Sequence, residues 1–266
     1  MVIPVSDNSP VSEFDPVGPA HRPPVVTYTL IGLCTLTFVL GPAAGFGVAP
    51  GAGRLCAQAV WFDRWGVIPA ELLHGKLPPA RLDLPAGCPV PGPYPKVPFL
   101  SVLTALFVHA GWVHLIGNML FLWVFGDNVE NRMGRPRFAL FYAAAGYLAT
   151  YGFALGHPND TRSLVGASGA ISGALGAYLY LCPTARVTSV FPFLLFVPLR
   201  FPAWTVLCFW FVLQWLAART AHGGPGVAYL AHVVGFAFGF FCAWVCYRPR
   251  RKVSLVIGPT QGDIQP

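Results

Sequence analysis

A serine and a histidine lie inside apolar stretches where a polar side chain is costly: Ser168 within Gly166-Ala167-Ser168-Gly169, and His232 directly after Ala231. Hydrocarbon offers such groups no water, so an ionisable or hydrogen-bonding residue there is a functional candidate by default. A serine hydroxyl is a weak nucleophile until a base takes its proton, and neutral imidazole is the usual base near pH 7. Ser168 and His232 are therefore the candidate nucleophile and general base. All ten acidic residues, from Asp7 to Asp263, lie outside the apolar stretches or at their ends, so a dyad is expected, with no carboxylate behind the imidazole. Stabilisation of an oxyanion offsets the missing third member by about 3 to 4 kcal/mol per donor. Asn118 and His114, four residues apart on one helix face, are candidate side-chain donors. The Ser168 backbone N–H, at a helix N-terminus, is a further one.

Each signal has a bland counterpart. Glycine and serine serve packing in membrane helices, so GxSG alone is weak, and a lone histidine is more often an interhelical hydrogen bonder. His109 and His114 are five residues apart, which does not put them on one helix face as HExxH does, so no metal site is expected, and no cofactor. Ser172, one turn after Ser168, reads as packing. Of seven cysteines, Cys34, Cys182, Cys208, Cys242 and Cys246 read as packing residues or inert thiols, whereas Cys56 and Cys88 share a long loop and can pair if that face is oxidising. The conjunction of these residues, not any one of them, carries the catalytic reading.

The elements that must position these groups are membrane helices. Only 10% of residues are charged and 55% are apolar, with a mean hydropathy of +0.59, far from the balance of a water-soluble domain. Uncharged stretches at 23–53, 97–126, 138–159, 163–185, 201–218 and 220–247 are each long enough for the roughly 20 residues that cross a bilayer. The expected fold is an all-α polytopic membrane protein with six transmembrane helices. A further stretch, 187–199, is short and holds Pro192 and Pro198, and reads as an interfacial or re-entrant connection. Residues 1–26 and 248–266 read as flexible tails, the second basic, around a single membrane domain at 27–247. The loop from about 50 to 100 holds ten prolines, too many for a compact domain, and its Trp61, Phe62 and Trp65 suit a segment lying at the headgroups.

Parity puts both termini on one side. The connections and tail on that side hold Arg132, Arg135, Arg137, Arg186, Arg200, Arg248, Arg250, Arg251 and Lys252, whereas the short opposite loops hold only Arg162 and Arg219. Both termini are thus expected to be cytoplasmic, and the absence of a presequence pattern in residues 1–26 points to a bacterial inner membrane. The net charge of +7 reads as topology and contact with lipid headgroups, not nucleic acid. Spans two, four and six run in one direction and carry His109, His114, Asn118, Ser168 and His232 in their first halves, so these groups share one depth. Gly169, Gly173 and Ala177 recur every four residues, as do Gly235, Gly239 and Ala243, so the fourth and sixth spans are expected to pack closely. The fourth, at about 22 Å from Ser168 to Cys182, is too short to cross unaided and should begin below the membrane surface.

With these residues in view, the chain resembles the rhomboid family of intramembrane serine proteases across nearly all of residues 27–247. The resemblance is carried by His109-Ala-Gly-Trp-Val-His114-Leu-Ile-Gly-Asn118, Gly126-Asp-Asn-Val-Glu130-Asn-Arg132, Gly166-Ala-Ser168-Gly169-Ala-Ile-Ser-Gly173, Ala231-His232-Val-Val-Gly235, and Trp65-Gly-Val-Ile-Pro69-Ala-Glu-Leu-Leu73. It implies a six-transmembrane-helix rhomboid-like bundle, with Ser168 as nucleophile, His232 as base, and Asn118 with His114 serving the oxyanion. It also implies His109, Gly166, Gly169 and Gly235 in support, and Glu130 and Arg132 in a structural network. The implied function is serine endopeptidase action on peptide bonds in or beside transmembrane helices of membrane-protein substrates. Two departures stand out: Ser172 replaces an aromatic that stacks on the catalytic histidine in many members, and no Trp-Arg pair anchors the first loop near Lys96–Thr104. The rival is an inactive relative that binds client helices, disfavoured because Ser168 and His232 are both present. A small transporter is disfavoured by the scarcity of intramembrane charge and the lack of repeats. Neither GxGD nor HExxH occurs, which argues against aspartyl and metallo intramembrane proteases.

Overall fold

In the computed structural model, structure is described for residues 3–8, 23–45, 51–75, 85–89, 92, 94–190, 198–220 and 227–247. Helices dominate. Six of them fall on the six uncharged stretches: α1 (Val25–Leu40), α5 (Trp112–Met133), α6 (Arg135–Gly156), α7 (Ser168–Leu181), α8 (Ala203–Thr220) and α9 (Tyr229–Cys246). By length and composition, α6 and α9 are long and apolar enough to cross a membrane, with mean hydropathies of 1.4 and 1.8, and α1 is a shorter apolar helix. Three further helices, α2 (Ala52–Trp65), α3 (Pro69–His74) and α4 (Pro98–Ala105), lie between α1 and α5. The stretch 97–126 is therefore not one helix. Pro98 starts α4 at a position where a missing N–H costs nothing, the chain leaves helical conformation after Ala105, and α5 restarts at Trp112 beyond Gly111. At its other end α5 stops at Gly134, whose φ of 82° only glycine adopts freely, and Gly134 also precedes α6.

The expectation of an all-α chain is corrected by a small antiparallel sheet of order β1-β2-β3. Strand β2 (Arg186–Val190) pairs with β3 (Pro198–Pro202), with Val187 opposite Phe201, and β1 (Ile3–Asn8) pairs on the other side of β2. Within the stretch 187–199, read from the sequence as an interfacial or re-entrant connection, residues 187–190 and 198–199 lie in paired strands, and residues 191–197 lie outside the described residues. Val187, Thr188 and Val190 are β-branched and favour a pleated backbone, while Pro198 and Pro202 sit at the ends of an edge strand, where a lost donor is tolerated. Ile3–Asn8 belongs to the fold, contrary to the flexible tail expected for residues 1–26. The tail at 248–266 lies outside the described residues.

The core gathers where α5, α6, α7 and α9 meet, around Leu122, Phe125, Phe138, Leu175 and Tyr178. Small residues permit the closest approach. A Cβ on Gly235 would run into the Gly169 carbonyl, one on Gly239 into the Gly173 backbone, and one on Gly176 into the Phe236 carbonyl. The expected pairing of the fourth and sixth apolar stretches is what the chain forms, with Gly176 as an added close contact. Outward faces are apolar: Leu40, Leu140 and Val245 are 75%, 74% and 71% exposed, an arrangement suited to lipid and unsuited to water. α1 is tied in from below by a carboxylate. Glu130, 2% exposed, accepts hydrogen bonds from the Val26 and Thr27 N–H groups and the Thr27 hydroxyl at 3.0, 2.8 and 2.8 Å, satisfying donors at a helix N-terminus that also favours negative charge. Arg132 is exposed.

The first loop is held firmly despite its prolines. Lys96 and Glu71 form a buried ion pair at 2.7 Å, and Lys96 also donates to the Asp63 carbonyl at 2.6 Å. Thr104 donates to the Trp65 carbonyl at 2.7 Å. A disulfide joins Cys56 to Cys88 across 32 residues. Val67 forms an antiparallel bridge with Leu164, which ties this loop to the segment just before α7. The loop's anchoring, which the missing Trp-Arg pair left without an owner, is supplied by Lys96, Glu71 and Thr104.

Candidate active site

The segment before α7 is constrained from several sides. Arg162 donates to Asp160 from its backbone N–H, Nε and Nη2 at 3.0, 2.9 and 2.7 Å. Burial alone raises a carboxyl, but these bonds outweigh it and hold Asp160 below the usual carboxylate range. Val67 and Leu164 exchange backbone hydrogen bonds, and the Gly166 N–H donates to the Ala105 carbonyl at 2.9 Å. Gly166 has a φ of 121°, which an L side chain rarely adopts. A Cβ there would also meet Cε1 and Nε2 of His114, each at 2.7 Å. Glycine at 166 therefore serves both the turn into α7 and the space that His114 occupies.

Ser168 is the first residue of α7, so its N–H has no acceptor within that helix. His232 lies in the first turn of α9 and is buried. The close α7–α9 seam brings them together: His232 Nε2 is 2.8 Å from Ser168 Oγ. Residues 64 positions apart in the chain thus form one hydrogen-bonded pair. Gly235, one turn beyond His232, and Gly169, next to Ser168, are the contact that permits it. Gly169 would also press a Cβ against Ala149 of α6 at 2.8 Å.

From α5 come the candidate oxyanion groups. The Ala110 N–H donates to His114 Nδ1 at 3.3 Å, so a neutral His114 carries its proton on Nε2, the atom that lies against Gly166. Asn118 is buried, and its Nδ2 donates to the His114 carbonyl at 2.9 Å. That bond uses one of two amide hydrogens and leaves the other. His109 is 1% exposed, bonds the Phe107 carbonyl through Nδ1 at 3.3 Å, and sets its ring edge against His114 with centroids 5.1 Å apart. It touches His114, one ring removed from the Ser168–His232 pair.

Ser172 does not hold the imidazole. Its hydroxyl donates back to the Ser168 carbonyl at 2.6 Å, in keeping with a packing role. A ring beside His232 comes from α8 instead, Trp210 at 6.0 Å and 31°, and Tyr229 at the start of α9 presents its ring edge-on at 6.4 Å. α8 also supplies a group that inspection of ionisable residues passes over, Gln214, whose Oε1 is 2.7 Å from His232 Nδ1. The available signal was a lone primary amide in the uncharged stretch 201–218.

A Rhomboid domain family model matches residues 98–249, which hold every residue of this site. The chain is 34% identical over 154 residues to Rhomboid protein 1, mitochondrial, of Saccharomyces cerevisiae, a match covering 54% of this chain and 41% of that protein. It is 38% identical over 80 residues to Putative rhomboid protease YdcA of Bacillus subtilis, covering 30% and 40%. To Rhomboid protease GluP of the same organism it is 41% identical over 85 residues, covering 32% and 16%. The matches span less than half the length of each of these relatives. Relatives named as proteases support an intramembrane-protease type of function at the level of the family, and the family is membrane-embedded. The chain belongs to the rhomboid family.

Proposed function

We propose that the protein is an intramembrane serine endopeptidase that cleaves peptide bonds in or beside transmembrane helices, using Ser168 and His232. The observation that carries this reading is the 2.8 Å hydrogen bond between the Ser168 hydroxyl and imidazole Nε2, which joins a half-buried serine to a buried histidine across two apolar helices. His232 Nε2 takes the hydroxyl proton as Oγ attacks the scissile carbonyl, and the resulting imidazolium returns it to the leaving amine. Water, activated by the same nitrogen, then hydrolyses the acyl-enzyme. The developing oxyanion is received by the Ser168 N–H, the second amide hydrogen of Asn118 and the Nε2–H of His114. A substrate helix must unwind locally, because a helical carbonyl is shielded by its own turn.

Six crossings with both termini cytoplasmic, in the bacterial inner membrane expected from the sequence, form the accompanying topology. Two tertiary contacts favour it. β1 precedes α1 and pairs with β2, which follows α7, as four crossings between them require. Val67, between α1 and α5, pairs with Leu164, between α6 and α7, as two crossings require. The hydrogen-bonded dyad speaks against an inactive client-binding relative. Incubation with a fluorophosphonate probe in detergent tests the reading: the intact chain should label and Ser168→Ala should not. Equal labelling of both, or none of either beside an active control enzyme, overturns it.

A further inference from the structure

α8 turns Phe209, Val212, Leu213, Trp215 and Leu216 outward, yet Gln214 in the same turns is part-buried and directed at α9. A primary amide in apolar surroundings is unfavourable unless its polar atoms are paired. Its partner is the base itself, on the nitrogen that Ser168 does not use. We propose that Gln214 is the positioning residue of His232: its side-chain carbonyl accepts the Nδ1 proton and so leaves the Nε2 lone pair facing Ser168 Oγ. This rests on the dyad reading above.

A neutral imidazole carries one proton. On Nδ1, it leaves Nε2 free to take the serine proton; on Nε2, it donates to Ser168 Oγ and the base is lost. An acceptor behind Nδ1 selects the first tautomer and fixes the ring's rotation, the task a carboxylate performs in triads. An amide does this without a second charge to bury. When Nε2 takes the Ser168 proton, the Nδ1–H to Gln214 bond becomes charge-assisted and strengthens as the reaction requires. The proton passes from Oγ to Nε2 to the leaving amine, and Gln214 neither gains nor loses one. Trp210, one turn earlier on α8, and Tyr229 wall the ring. Among the described residues, His114 from α5 is the charge-bearing group that interacts with His232; α7 contributes the Ser168 hydroxyl and α8 the uncharged Gln214.

Gln214→Met keeps length and bulk but removes the acceptor; Gln214→Glu keeps the acceptor and adds charge. Fluorophosphonate labelling rates, and kcat and KM for a transmembrane substrate, are to be measured across pH in the full chain, with melting temperatures alongside. Gln214→Met should lower labelling and kcat about 10- to 100-fold with KM unchanged. Gln214→Glu should restore most of the rate and move the acidic limb of the pH–rate profile upward, since a carboxylate favours imidazolium. Wild-type rates in Gln214→Met, or equal losses in both variants with the limb unmoved, overturn the proposal. If either variant fails to fold, 15N shifts of the wild-type His232 ring decide: a proton on Nδ1 at neutral pH supports it, and one on Nε2 overturns it. Labelling of Ser168→Ala at the wild-type rate would instead sink the dyad itself, a separate failure.

Discussion

Ser168 and Gly166 divide the work at the nucleophile, one supplying the hydroxyl and the other the backbone turn and the room for His114. Gly166→Ala places an L side chain at a φ of 121° and its methyl in the His114 ring. Backbone strain of about 1 to 3 kcal/mol and displacement of an oxyanion donor should together reduce peptidase turnover by roughly 100-fold or more. A Gly166→Ala enzyme with wild-type kcat would remove His114 from the oxyanion. Asn118→Ala should lower kcat by roughly 10- to 1000-fold with little change in melting temperature, whereas loss of folding would make Asn118 structural. Most of these residues are conspicuous in the sequence because each is a histidine, serine or asparagine among apolar neighbours. Gln214 is not, because it neither titrates nor belongs to a motif, and its partner lies 18 positions away on another helix.

Helix contacts set the distances between those residues. Gly239→Ala presses a methyl into the Gly173 backbone, where no flexible side chain can yield. The α7–α9 seam must part, at a cost of about 1 to 3 kcal/mol, and the melting temperature and labelling rate should fall together; an unchanged melting temperature would mean that the seam is looser than described. The glycine stripes made this pairing readable from spacing alone. The first loop is another matter. Its ten prolines argued against a held structure, and a buried ion pair between positions 71 and 96 has no local pattern to reveal it. Lys96→Met leaves Glu71 buried without its cation and should destabilise the protein by about 3 to 5 kcal/mol. The double variant Lys96→Met with Glu71→Leu should recover most of that loss in thermal melts. Equal destabilisation by the single and double variants would show that the pair does not carry the anchoring. The sheet was hidden for a similar reason: Ile3–Asn8 pairs with residues more than 170 positions later, and no periodicity in a Pro-rich N-terminal segment announces it.

At the scale of the molecule, the candidate catalytic groups gather at one end of an apolar bundle. Ser168 and His232 lie in the first turns of α7 and α9, and His114 and Asn118 in the first two turns of α5, beside the anchored first loop, while the small sheet, with Arg186 and Arg200, and the α5–α6 junction, with Arg132, Arg135 and Arg137, lie at the other end. Hydropathy and charge sufficed to locate the main apolar helices along the chain, because both are summed over whole segments. They did not reveal the break before α5 or the hairpin after α7, which depend on single glycines and on strand pairing. The account's central claim is that the 168–232 pair cuts a bond held at membrane depth. The most direct test is reconstitution of the full chain with a fluorescent single-span substrate in liposomes, with the products mapped by mass spectrometry. The account predicts one or a few cuts within or beside the spanning segment by the wild type, and none by Ser168→Ala or His232→Ala. Cleavage that persists in Ser168→Ala would contradict it, as would cuts confined to parts of the substrate far from the membrane.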